Sequence, residues 1–304
     1  MRAWRGRRVL VTGAGGFIGS RLAEKLAHLG ALVRADKHRS GLQNPAAAAR
    51  ATRGIDVVFH LAAAPGGRAF VSSNPARVWD NILLDAQVIK AAAAARVSRF
   101  VFASSATVYP QPMMQKGKPL HEALAGPPFD PDGAFGWSKL TTERLLADCH
   151  REMGLRSVAC RLFSVYGEGA PSGNAVQVWI EQALCPSPYF EIWGDGRQKR
   201  SWLHIDDAVS GLLLAADRAE DLSAVNLGGG KAFSVAETIN LIIKLSGRKA
   251  SLHLQPDRPA GAGHQIADIS KARSLGWRPR VPLLEGLRRT LAALSERSAP
   301  SSRR

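Results

Sequence analysis

The apolar positions of this chain fall into short continuous runs that alternate with stretches of helical spacing. RRVLVTG is an apolar, β-rich run ending in a turn, and FIGSRLAEKLAHLG carries its apolar residues one helical turn apart. Gly30 stands just past the last periodic residue, where glycine ends a helix. ALVRAD reads as a second strand ending at Asp36, and IDVVFHLAA as a third clear strand. The pattern then predicts a helix from about Pro75 to Ala95, a strand over RFVFASSATVY, a helix over 138–154 and a strand over RSVACRLFSVYG. Strands apolar at nearly every position are buried on both faces. The alternation therefore predicts an α/β fold, a doubly wound parallel sheet covered on both sides by helices.

After about residue 167 the rhythm loosens. GEGAPSGN, CPSPYF and GDGRQKR are rich in proline and glycine, and VNLGGGKAFSVAETINLIIKLSG then reads as strand, turn and helix. The expected organisation is a nucleotide-binding domain over 1–166 with a return segment near 203–228, a smaller C-terminal α/β substrate lobe over 167–294, and a disordered tail over 295–304. No internal repeat is visible.

The first strand and helix are joined by Thr12-Gly13-Ala14-Gly15-Gly16-Phe17-Ile18-Gly19. Gly13 and Gly16 let backbone approach a pyrophosphate, Gly19 lets the helix pack closely on the strand, and the helix N-terminus offers unpaired N–H groups to an anion. An acid at the end of the next strand, Asp36, suits the ribose hydroxyls of NAD and repels a 2′-phosphate. Lys37, His38 and Arg39 leave NADP as the minority reading.

Composition narrows this little. The apolar share of 45% and charged share of 22% are those of an ordinary globular protein. No apolar run approaches the roughly 20 residues that span a bilayer, and the basic-then-apolar start runs into the glycine turn rather than a cleavage site. The expected location is the cytoplasm, with no membrane partner. Cys149, Cys160 and Cys185 have neither disulfide nor zinc spacing, so no metal is expected. The net charge of +16 is spread along the chain without an aromatic-interleaved strip, which favours a basic surface and anionic small substrates over nucleic acid.

From about Arg8 to Leu291 the sequence resembles the extended short-chain dehydrogenases/reductases, the NAD-dependent epimerase/dehydratase group acting on nucleotide sugars. TGAGGFIG resembles its dinucleotide turn. HLAA (His60–Ala63) resembles a strand end beside the cofactor, placing Leu61, Ala62 and Ala63 there with Phe17 and Ile18. Asn81 matches a helix asparagine that supports the cofactor site, and FASSATVY resembles the strand that bears the catalytic hydroxyl, here Ser105. The resemblance implies a Rossmann-like fold and bound NAD. GDGRQKRSWLHIDDAV and the segment around Arg258 imply that Arg200 and Arg258 hold a substrate diphosphate, a task suited to the planar donor fork of arginine.

The stretch AFGWSK departs from the family. Its motif is YxxxK, in which the tyrosine takes the proton of a sugar hydroxyl while the C4 hydride goes to NAD. The lysine binds the nicotinamide ribose and lowers the phenol pKa. Here Lys139 is kept and Phe135 has no proton to exchange. Three readings are open. Another group carries the proton, with Ser105, Thr107, Tyr109, Glu122 and Tyr166 as candidates; the protein is a non-catalytic binder of NAD and nucleotide sugar; or a tyrosine was changed to trap substrate.

Two further departures bear on substrate and cofactor. RLFSVYG has Ser164 where the family carries a substrate-contacting asparagine. Only 24 positions separate Asp36 from His60, and SGLQNPAAAARATRG holds no convincing strand, so the family's next strand is expected to be missing and the adenine edge open. Ala106 and Thr107 stand where the family's dehydratases have Asp-Glu, and the decarboxylase glutamate is also absent. SSATVY resembles the 4-epimerase version. The resemblance also implies a homodimer built from the helices at 75–95 and 138–154, with the alanine run at 91–95 at a close helix contact or in an internal face.

Overall fold

The structure, a computed structural model, describes residues 4–37, 39–63, 71, 73–185, 187–258 and 263–298. Strands β1 (Arg8–Thr12), β2 (Leu32–Asp36), β3 (Val57–His60), β4 (Arg99–Ser105), β5 (Ser157–Leu162) and β6 (Ser223–Leu227) form a parallel sheet in the order β6-β5-β4-β3-β1-β2. Successive strand residues face opposite sides, and both sides are covered. Val9, Val11, Val57, Phe59 and Val101 pack with α1 (Phe17–His28) and α5 (Ile205–Arg218). Leu10, Val58, Phe100 and Phe102 pack with α3 (Pro75–Ala94) and α4 (Gly133–Met153). Continuous apolar strands were legible for this reason.

The chain order reverses at β1, which has β2 on one side and β3 on the other. This switch point leaves a crevice at the strand C-termini. The registers Thr12↔Asp36, Thr12↔His60 and Ser105↔Leu162 bring the expected site residues to that edge.

Another apolar cluster lies beyond the sheet. The helices Ala175–Leu184, Val235–Ser246 and Leu283–Ser298 enclose Val176, Ile180, Ile239, Ile242, Leu283 and Leu287. Phe190 and Ile192 join them from the parallel pair Tyr189–Trp193 and Ser251–Gln255.

Four expectations change or sharpen. Between Asp36 and Val57 no strand occurs among the described residues; the segment forms a turn and helix α2 (Pro45–Thr52), so β2 is the sheet edge. The helix expected from 138 begins at Gly133, which puts Phe135 in its first turn. The strand expected over RSVACRLFSVYG breaks after Leu162 and resumes as the short pair Val165–Tyr166, with Ser164 at φ +36° between them. Finally, the last helix runs to Ser298, so residues 295–298 of the expected disordered tail are helical, and 299–304 lie outside the described residues.

Candidate active site

The glycine turn is dictated by backbone. Gly13 has φ +69°, and a Cβ there would lie 2.7 Å from the Ala62 nitrogen. A Cβ on Gly19 would lie 2.1 Å from the Gly13 carbonyl oxygen. Only glycine allows α1 to start this close to β1 and β3. Gly15 and Gly16 are exposed, and α1 has no side-chain cap and no acid in its first turn. Its unpaired N–H groups therefore face outward, where they suit a pyrophosphate. Phe17 and Ile18 are half-buried behind the turn, and Asp36 ends β2 with its backbone carbonyl accepting from Ala14 N at 2.8 Å. The donor set fits NAD.

Beneath the turn runs a buried polar chain. Thr12 Oγ1 accepts the Leu61 and Ala62 amides, both at 3.2 Å, and lies 2.6 Å from His60 Nδ1. With both hydroxyl lone pairs taken, the Thr12 proton goes to Nδ1, so Nε2 carries the imidazole hydrogen. Nε2 donates to Asp85 Oδ1 at 2.8 Å, and Thr142 Oγ1 donates to Asp85 Oδ2 at 2.7 Å. Burial pushes the Asp85 carboxyl up, but the His60 hydrogen bond, the nearby Lys139 charge and the Thr142 hydrogen bond together hold it below the usual range. Asp85 was missed in the sequence. The signal was a charged residue on an apolar face of α3, one turn after Asn81, which is also buried.

Lys139 is 3% exposed. Its Nζ lies 4.4 Å from the Phe102 ring centre and 5.6 Å from that of Phe135. Among the described residues no hydrogen bond or ion pair holds it. Burial pushes its pKa down, against the opposing pull of the Asp85 and Glu143 carboxylates. Glu143 is itself paired with Arg161 at 2.7 Å and accepts from Ser104 Oγ at 2.5 Å.

Ser105 ends β4, and its Oγ accepts both the Thr107 amide at 3.2 Å and the Thr107 hydroxyl at 2.9 Å. Thr107 borders α4: its carbonyl accepts from Asp132 N, and a Cβ on Gly136 would lie 2.3 Å from that oxygen. The remaining candidates are committed elsewhere. Tyr109 donates to Asn226 Oδ1 at 2.6 Å and receives Arg161 Nη1 at 3.3 Å, and burial pushes its pKa up. Tyr166 is buried in the apolar cluster beyond the sheet, with its hydroxyl 3.4 Å from the Leu283 carbonyl. Glu122 Oε1 accepts the backbone amide of Asn226 at 2.9 Å, while its buried Oε2 has no hydrogen-bond partner among the described residues.

The expected substrate residues have separate surroundings. Ser164 follows β5, and its carbonyl accepts from Leu203 N. Arg200 Nη1 donates to the Gly263 carbonyl at 2.5 Å, whereas the exposed Arg258 lies over the Trp193 ring at 5.7 Å.

A doubly wound sheet with a glycine turn at its switch point, an acid ending β2 and a buried lysine on α4 define a dinucleotide-binding α/β protein of the dehydrogenase type. The sequence pattern of the NAD dependent epimerase/dehydratase family matches residues 9–228, and the chain belongs to that family. Its cofactor is NAD. The uncharacterized UDP-glucose epimerase YtcB of Bacillus subtilis (strain 168) is 32% identical, over 95% of this chain and 98% of that one. GDP-mannose 3,5-epimerase 1 of Oryza sativa subsp. japonica is 30% identical, over 95% and 82%. Among solved structures, MoeE5 in complex with UDP-glucose and NAD superposes with a TM-score of 0.83 at 29% identity, covering 96% of this chain and 99% of that one.

Proposed function

We propose that the protein is an NAD-dependent nucleotide-sugar epimerase or related oxidoreductase that moves a hydride at sugar C4 and keeps NAD bound between half-reactions. The observation that carries this reading is Lys139, a buried lysine over the Phe135 ring that has no hydrogen-bond or ion-pair partner among the described residues. A buried amino group without a hydrogen-bond partner is expensive to keep unless a ligand uses it. In this reading Gly13, Gly16, Gly19, Asp36, Leu61–Ala63, Asn81 and Lys139 hold the cofactor. Ser105 faces the reacting hydroxyl, and Ser164, Arg200 and Arg258 hold the nucleotide sugar. A UDP-hexose is supported by the relatives named for UDP-glucose.

Phe135 supports the second reading, a non-catalytic binder of NAD and nucleotide sugar. The deciding experiment incubates the protein and Phe135→Tyr with NAD and a panel of nucleoside-diphosphate hexoses, with products resolved by NMR. Turnover by the unsubstituted protein establishes the enzyme and names the reaction. Turnover by the tyrosine variant alone, with both proteins binding NAD, establishes the binder.

A homodimer through α3 and α4 is part of the proposal. Trp79 and Leu83 on α3 are 42% and 61% exposed, and Trp137 on α4 is 39% exposed. In the alanine run, Ala92 and Ala93 face the molecule's own core, so they are not available for the dimer contact. Leu83→Glu is expected to convert a dimer to a monomer in light scattering, and a monomeric parent protein would refute the arrangement.

A further inference from the structure

We propose that Lys139 itself carries the proton that the family assigns to its tyrosine, its neutral amine taking the hydrogen of the sugar C4 hydroxyl. This rests on the hydride-transfer reading above. Few lone pairs at the crevice can accept that proton. Ser105 Oγ has both of its lone pairs filled by the Thr107 amide and hydroxyl. Its own hydrogen is free, so it donates to a substrate oxygen and takes no proton from it. The Thr107 hydrogen is committed to Ser105, and a neutral hydroxyl does not hold a proton through a reaction. Tyr109 and Tyr166 are occupied as described, and Glu122 is held through Oε1 at Asn226 of β6, two strands away from β4 and Ser105. Lys139 Nζ remains, one turn from Phe135 on α4 and without a hydrogen-bond partner among the described residues.

Its surroundings suit proton exchange. Burial strips water from Nζ, which favours the amine, while the ring faces of Phe102 and Phe135 attract the ammonium and so keep both forms within reach. Asp85 on α3 and Glu143 on α4 pull the other way, which keeps the ammonium accessible. Glu143 is largely neutralised by Arg161 of β5, so Asp85 is the principal counter-charge. His60 of β3 and Thr142 hold Asp85 in place and ionised.

In the oxidative half-reaction the C4–H bond breaks and its electron pair leaves as hydride to NAD. The O–H pair becomes the second C4–O bond, and the proton joins the Nζ lone pair to give –NH₃⁺. The return of hydride to the ketone draws the same proton back. A nucleophilic or basic lysine of this kind depends on burial to lower its pKa.

The test pairs activity with a spectroscopic readout. Lys139→Arg keeps a cation for ribose binding and has no accessible neutral form. It is expected to lose on the order of 10²–10⁴ in kcat with NAD affinity within about ten-fold of the parent. Adding Phe135→Tyr to that variant supplies a phenol and is expected to restore turnover to within about ten-fold of Phe135→Tyr alone. In the unsubstituted protein, ¹⁵Nζ NMR is expected to show Lys139 titrating below the ordinary lysine value of about 10.4. Asp85→Asn should lower it further. If Lys139→Arg keeps its kcat, or Lys139 titrates at or above the ordinary value, another group carries the proton and the proposal fails while the enzyme reading stands. An unsubstituted protein silent on every sugar, with Phe135→Tyr active, overturns both.

Discussion

Ser164 sits at φ +36°, in a region where L-residues other than asparagine, aspartate and glycine are uncommon. The bend is needed because the chain must leave β5 and deliver Val165–Tyr166 to pair with Leu203–His204. The asparagine that the family carries here is thus favoured by backbone as well as by substrate. Ser164→Asn is expected to raise stability by about 0.5–1 kcal/mol, read from the urea midpoint; an unchanged or lowered midpoint refutes the strain argument. At the opposite extreme, Gly19→Ala drives a methyl into the Gly13 carbonyl. It should weaken NAD binding at least ten-fold by calorimetry while circular dichroism reports a folded protein, and retained affinity would show that the turn yields. The glycine turn was legible because its constraint is local. The chain Thr12–His60–Asp85–Thr142 was not, since its members are brought together only by sheet register and by the packing of α3 on α4.

Helices show the same division between local and tertiary causes. The stretch after Asp36 was correctly read as lacking a strand, but α2 was overlooked although its start signal was present. Asn44 accepts the Ala46 and Ala47 amides at 2.9 and 3.2 Å, and Pro45 takes the first helical position. At the other end Arg34, on the edge strand, donates to the carbonyls of Arg50, Ala51 and Arg53. This shields part of an edge that has no strand neighbour. Asn44→Ala is expected to cost about 1 kcal/mol and to speed amide exchange across 45–52 before the rest of the chain; uniform exchange would mean that α2 does not open separately. The early start of α4 was hidden for the converse reason. Two glycines in GAFG argue against helix by propensity. Gly136 is needed all the same, because no Cβ fits against the Thr107 carbonyl. Tertiary approach outweighed a local cost of about 1 kcal/mol.

At the scale of the molecule, helix α1 beside the sheet and the last helix are tied by a charged cluster that the sequence could not show, its members lying as far apart as Arg21 and Arg289. Arg289, on the last helix, donates to Glu168 Oε1 and to Asp206 Oδ2, each at 2.7 Å, and Arg21 on α1 donates to Asp206 Oδ1 at 3.1 Å. His204 is buried among them. Its Nδ1 accepts the Asp206 amide at 3.2 Å, so Nε2 holds the hydrogen and donates to Glu168 at 3.0 Å, which makes the ring neutral. Burial pushes the His204 pKa down, with Arg289 adding to it, and this outweighs the raising pull of Glu168 and Asp206. Burial pushes Asp206 and Glu168 up, but their bonds to arginine and backbone leave both below the usual carboxylate range. All three folded-state values are therefore depressed. Each group contributes stability above its unfolded pKa and loses it as pH falls through the folded one. For His204 the loss begins below about pH 6.5, and for the two carboxylates below about 4. The urea midpoint is expected to be flat from pH 8 to 7 and to decline in two stages as the pH is lowered. Arg289→Gln removes the partner shared by both carboxylates and relieves the ring of a repelling charge, so it should lower the midpoint at pH 7 and make both stages shallower. A variant with the parent's acid profile would show that the cluster is a surface ornament and that the apolar core around Leu283 and Leu287 alone joins the last helix to the fold.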